Sequence, residues 1–221
     1  MNRAELKAAA KSQIKGKIGI LFVISLIYVL ITSGLSFIPG IGSIATLIVT
    51  PAFALSLVKV YLKVIAGGQP EVKDTFSGFD DFWSAFKVTF FTGLFTFLWS
   101  LLFIIPGIVK AFSYSMSMYV LAENKGKPAL ECIKESKEMT NGHKMELFVL
   151  GLSFIGWALL CGITFGIAYI WVYPYMNATY ANAYALLRGE PEVAEVEEIP
   201  AEPVVEEAVV EETPAEETIE E

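Results

Sequence analysis

The fold turns on Ile18–Ala66, IGILFVISLIYVLITSGLSFIPGIGSIATLIVTPAFALSLVKVYLKVIA, 49 residues with no acid and with bases only at Lys59 and Lys63. As one helix at about 1.5 Å per residue it would be roughly 74 Å long, against a hydrocarbon core of about 30 Å. It must fold back once. FIPGIGS at Phe37–Ser43 is where it can do so, because proline offers no backbone amide and glycine accepts turn conformations.

Two further stretches repeat the problem. Val88–Ala122 has 35 residues and Met145–Leu187 has 43, with IIPGI at Ile104–Ile108 and CGITFGI at Cys161–Ile167 as their breakers. Six spans follow, at about 18–37, 44–66, 86–105, 107–122, 145–162 and 166–187. Gly107–Ala122 is short and polar and is the segment open to a re-entrant reading. The expected fold is all-α: a polytopic membrane helical bundle of three repeated hairpins with cytoplasmic amphipathic helices.

The charges support this layout. The 221-residue chain has a formal charge of -8, is 54% hydrophobic and has a mean hydropathy of +0.55. Thirteen of its 24 acids lie from Glu192 onward, leaving 11 acids against 16 bases and a balance of +5 in Met1–Glu190. Bases cluster at Arg3–Lys17, Lys59–Lys87, Lys125–Lys144 and Arg188, while the three breakers carry no charge. Bases accumulate on the cytoplasmic side of short loops, which predicts both termini cytoplasmic in a bacterial plasma membrane. Trp99, Trp157 and Trp171 fall near the uncharged turns, where an interfacial belt belongs. Three regions result: a basic amphipathic segment at 1–17, a six-span domain at 18–188 and an acidic tail at 189–221. Like-charge repulsion and scarce apolar area predict a disordered tail. The polar N-terminus does not look like a cleaved signal peptide.

An internal repeat accounts for the even number of spans. LFV recurs at Leu21–Val23 and Leu147–Val149, FIPGI at Phe37 resembles IIPGI at Ile104, and AGGQP at Ala66 resembles NKGKP at Asn124. Three amphipathic segments punctuate it. Lys7, Lys11 and Lys15 lie opposite Leu6, Ala10 and Ile14 on a helix suited to anionic headgroups. Phe76, Phe79, Trp83 and Phe86 share a helical face with Asp80 and Asp81 turned away. Pro128–Asn141 carries Leu130 and Ile133 on one side and its charges elsewhere.

The strings FSGFDDFWSAF (76–86), FLWSLLFIIPGIVKAFSYSMSMYVLAEN (97–124), ALECIKESKEMTNGHKMELFVLGLSFIGWALL (129–160) and YPYMNATYANAYALL (173–187) resemble the bacterial membrane family known as domain of unknown function 975. The likeness covers roughly Met1–Arg188. It implies a multi-span membrane protein and no reaction.

Few residues offer chemistry. Cys132 and Cys161 lie in segments placed too far apart for a disulfide framework, and His143, next to Lys144 at the interface, has no metal-ligand companions. No catalytic constellation, metal site, cofactor motif or nucleic-acid signature is expected. Spans two, four and six carry the polar groups and are placed inside the bundle. Lys110, Ser113, Tyr114 and Ser117 share a face of span four; Tyr173, Asn177, Tyr180 and Tyr184 share one of span six; Thr46 and Thr50 precede the kinking Pro51. An intramembrane lysine costs at least about 2.5–3.5 kcal/mol, so Lys110 either snorkels to the outer surface or serves as an interior cation for an anion, a lipid phosphate or tyrosine faces.

The candidate intramembrane polar site is therefore Lys110, Ser113, Tyr114, Ser117, Asn177 and Tyr180. The expected function is non-enzymatic: a structural, lipid-interacting or partner-organising component, with membrane lipids as partners and a protein partner reached through the amphipathic segments or tail. The alternative is a small transporter with a polar path through spans two, four and six. A membrane-embedded enzyme ranks third.

Overall fold

A computed structural model describes residues 2–38, 42–164 and 166–189. The described residues form helices and turns, with no strand among them. Asn2 caps α1 (Arg3–Ile14), its side chain accepting from the Ala4 amide at 3.1 Å. Then come α2 (Ile18–Ser36), α3 (Gly42–Ile65), two 3-10 turns (Val72–Phe76 and Phe79–Asp81), α4 (Phe82–Leu102) and α5 (Ile104–Tyr114). The chain continues through α6 (Ser117–Glu123), α7 (Ala129–Met139), α8 (Lys144–Leu152), α9 (Ile155–Ile163) and α10 (Tyr169–Arg188). Gly189, at φ 83°, closes α10 in a left-handed cap that disfavours residues with a Cβ.

Five stretches are long and apolar enough to cross a membrane: 18–36, 44–65, 72–102, 104–123 and 144–163. The fourth joins α5 to α6 and the fifth joins α8 to α9. The sixth expected span coincides with α10, which is 20 residues long but stands apart from those five because Asn177, Thr179, Asn182 and its tyrosines lower its hydropathy. It is also richly buried, from Val172 through Ala185. The polarity that weakens its span signal belongs to a helix enclosed by protein.

The core lies toward the charged ends of the helices. Leu6, Ala10 and Ile14 of α1 join Leu55, Val60 and Val64 of α3, Val120 and Leu121 of α6, Leu147 and Leu150 of α8, and Ala178 and Tyr184 of α10. The uncharged ends face outward: Phe37 is 86% exposed, and Leu47, Leu101, Ile105 and Ile163 are also exposed. Apolar side chains pointing outward there match a lipid environment, whereas the charged end packs like the interior of a water-soluble domain.

Several local expectations shift. The second breaker does not turn at IIPGI. Phe103 alone, at φ -156° and ψ 139°, links α4 to α5, and Pro106 sits inside the first turn of α5. A helix's first amides have no intrahelical acceptor, so proline is tolerated there. Gly107 lies against Ser100, where an added Cβ would collide with backbone and side chain, which lets α4 and α5 pack closely.

The aromatic segment after α3 begins as 3-10 turns, and Asp81 is not turned away: it is 8% exposed and pairs with Lys59 at 3.3 Å. Phe53 gathers Tyr28, Phe76 and Phe79 at ring distances of 5.4, 6.0 and 5.1 Å. Gly78 donates its amide to Ser56 Oγ at 2.8 Å, so close to α3 that a Cβ would strike the Ala52 carbonyl. On α7 the buried face is Ala129, Cys132, Ile133 and Ser136, while Leu130 is 55% exposed. The acidic run from Pro191 to Glu221 lies outside the described residues.

Candidate functional site

Two membrane-length helices break at their charged halves, and a break frees backbone groups that need partners. Between α5 and α6 the helix interrupts at Ser115–Met116. Ser136 of α7 fills the gap: its hydroxyl donates to the Ser113 carbonyl at 2.9 Å and accepts from the Met116 amide at 3.2 Å. Thr140 adds a second donor to Ser113 O at 3.3 Å. Ser113, Ser136 and Thr140 are all buried. The amphipathic helix therefore supplies the backbone satisfaction that α5 and α6 lost.

Between α8 and α9 the interruption falls at Ser153–Phe154. Here Lys7 of α1 donates to the Ser153 carbonyl at 3.2 Å, and its ammonium lies 4.4 Å from the centroid of the Phe154 ring. Burial, and after it the neighbouring Arg3 charge, holds the Lys7 pKa below the ordinary lysine value. Gln13 and Asn182 exchange hydrogen bonds of 3.1 and 2.7 Å, fixing α1 along α10. Of the expected basic stripe, Lys7 is drawn inward while Lys11 and Lys15 stay exposed.

The expected intramembrane polar residues fall into two groups. Lys110 stands over the ring of Trp99, 4.6 Å from its centroid, within the α4–α5 hairpin. Tyr114 leans on Phe95 at 6.2 Å. On α10, Asn177 donates to its own helix at Tyr173 O, 2.8 Å away, and Tyr180 stacks against Phe154 at 6.4 Å. Helix α5 packs on α4, α7 and α8, whereas α10 packs on α1, α2, α3 and α9. The structure brings Lys110, Ser113, Tyr114 and Ser117 onto one hairpin and leaves Asn177 and Tyr180 on α10, whose main packing partners do not include α5. In α3, Thr50 donates to Thr46 O at 2.7 Å, just before Pro51.

Beside Tyr114 a groove of about 610 Å³ opens between α4 and the α5–α6 pair. Seven of its lining side chains carry hydroxyls: Thr89, Thr92, Thr96 and Ser100 from α4, and Tyr114, Ser115 and Ser117 from the other wall. No charged residue lines it. An apolar cavity of about 350 Å³ lies by Cys161, Tyr169 and Met176.

A family model described as Protein of unknown function (DUF975) matches residues 1–113 and 101–190. The chain belongs to the DUF975 family. No match to it occurs among the curated proteins or the solved structures compared.

The matched region of this DUF975 chain contains both helix breaks and a third contact at the charged end. Glu123, closing α6, accepts from Tyr184 and pairs with Arg188. Tyr119 stacks on Tyr184 at 5.2 Å. Ser136, Thr140, Gln13 and Glu123 went unread in the sequence because each looks like an ordinary polar residue of a solvated segment. For Ser136 and Thr140 the visible signal is the small-residue spacing Ala129, Cys132, Ser136 and Thr140, which suits close packing on another helix better than a lipid surface.

Proposed function

We propose that this chain is a six-crossing plasma-membrane protein that acts without catalysis, as a lipid-interacting or partner-organising component. Both termini and all amphipathic segments lie on the cytoplasmic side, α10 is the sixth crossing, and the crossings pair as three hairpins. The observation that carries the reading is the placement of the core. Helices α1 and α7 are keyed by buried polar contacts onto breaks in the membrane-length helices, building one packed layer at the charged end, while the apolar ends stay open. A layer so made presents a fixed surface that includes Arg3, Lys11, Lys15, Lys134 and Lys137 to anionic headgroups or a protein partner. The separation of Lys110 and Tyr114 from Asn177 and Tyr180 weighs for this reading over a permeation unit with one continuous polar path.

Crosslinking in native membranes tests it. A photoactivatable probe attached at Ser12→Cys should recover the same lipids or protein from the otherwise wild-type chain and from Lys110→Ala, and lose them when Lys11, Lys134 and Lys137 become Glu. A turnover or flux that depends on Lys110 or Tyr114 would contradict it.

A further inference from the structure

The hydroxyl-lined groove has a feature that its small-residue stripe alone would not supply. Ser117 is 1% exposed, lines the groove, and its Oγ has no hydrogen-bond partner. Other hydroxyls on these walls are occupied by their own helices: Thr92 donates to Val88 O, Ser100 to Thr96 O and Ser115 to Phe112 O. A buried hydroxyl left unmade costs about 1–3 kcal/mol, so Ser117 is a donor waiting for an acceptor.

The groove also limits what that acceptor can be. No cation lines it, which argues against an anionic group and for a neutral carbonyl or ether oxygen. From Val88 to Ser100 the α4 wall rises about 18 Å at helical pitch. The groove's volume of about 610 Å³ falls within the roughly 300–1,000 Å³ of small-molecule sites. The groove lies along α4, whose outward residues Phe90, Phe97 and Leu101 are exposed, so it is entered sideways from the apolar surroundings. Ser117 and Met118 belong to the half of the groove nearest the charged end, and Ser100 to the half nearest Phe103.

We propose that this groove binds a glycerolipid, its ester carbonyl accepting from Ser117 and its acyl chain lying along the Thr92–Gly93–Thr96 face toward Ser100. The site rests on the membrane reading given above and names the lipid chemistry for it. Thr92 and Ser100, already bonded to their own backbone, present methyl and methylene surface to the chain, and the buried donor holds its polar end.

The test uses the full chain in dodecyl maltoside micelles, which carry no ester carbonyl, with a diacylglycerol carrying a photoactivatable group in one acyl chain. Labelling should concentrate in peptides 88–100 and 111–118 and be competed by unlabelled diacylglycerol but not by hexadecane. Ser117→Ala should weaken labelling about fivefold, the effect of one ordinary hydrogen bond. Gly93→Leu should weaken it by narrowing the groove, since a Cβ there meets nothing within 4 Å. Equal competition by phosphatidylglycerol would support the ester as the shared group recognised. Labelling spread evenly over α2, α4 and α9, competition by hexadecane, or insensitivity to both variants would overturn the proposal. So would quantitative disulfide crosslinking of two Thr96→Cys chains without lipid labelling, which would mark the groove as an interface between copies. Flotation is read separately: a wild-type chain that does not float with vesicles overturns the membrane reading and this site together.

Discussion

The ammonium of Lys7 donates to the carbonyl of Ser153 across 146 positions of sequence, at 3.2 Å, tying the first helix to the break between α8 and α9. The bond explains why a basic amphipathic segment is drawn into the protein. Leu6, Ala10 and Ile14 are buried beneath it, and each large side chain so buried contributes about 1.5–3 kcal/mol. Lys7→Met should keep the aliphatic packing and lose the bond and the ring contact, weakening α1 docking by about 1–2 kcal/mol. Hydrogen exchange of α1 amides in detergent should then accelerate while α3 is unchanged. Equal protection in both proteins would show the contact to be incidental.

Ser136 plays the corresponding part for α7, with a sharper penalty because it serves two backbone groups. Ser136→Ala strands the Met116 amide and leaves Ser113 O with Thr140 alone. The expected loss is about 1–3 kcal/mol, visible as a lower unfolding temperature and faster exchange at 113–117. Ser136→Thr, which retains the hydroxyl, should recover much of it if the added methyl is accommodated.

The α7 layer should also respond to alkali. The side-chain hydrogen bond to Glu135 holds the Lys127 pKa above its ordinary 10.5, against the opposing effect of burial. A raised lysine contributes stability that is complete below pH 10.5 and is lost as pH rises through its folded value. The unfolding temperature in detergent should therefore fall above about pH 10.5 in wild type, and Lys127→Gln should start lower and show a smaller alkaline loss. An equal alkaline loss in both proteins would remove the pair from α7 docking.

What the sequence revealed follows from which forces act over long stretches. The apolar runs and their uncharged turns were legible because hydropathy and charge accumulate over twenty residues, and the five membrane-length stretches lie where those runs lie. Contacts decided by a single neighbour were not. Pro106 reads as a turn but serves as a first-turn residue, because one extended residue, Phe103, already reverses the chain. Asp81 reads as solvated, yet Lys59 reaches it from α3. Leu130 and Ile133 read as one packed side of α7; Ile133 is buried but Leu130 is exposed, because the partner surface is a helix break that needs hydroxyls and Ser136 and Thr140 face it. Ser117 was legible as a polar residue of span four, but its missing partner shows only when all neighbours are placed.

The most direct test of the account is the sidedness of α10. In a chain freed of Cys132 and Cys161, single cysteines replace Lys11, Lys137 and Arg188 near the charged end and Phe37, Phe103 and Ile167 near the turns. Intact cells are then treated with a membrane-impermeant maleimide. Six crossings with every charged segment cytoplasmic predict that the three turn positions label in intact cells and the other three only after lysis. Labelling of Ile167→Cys and Arg188→Cys from the same side would contradict it, because α10 would then not cross the membrane.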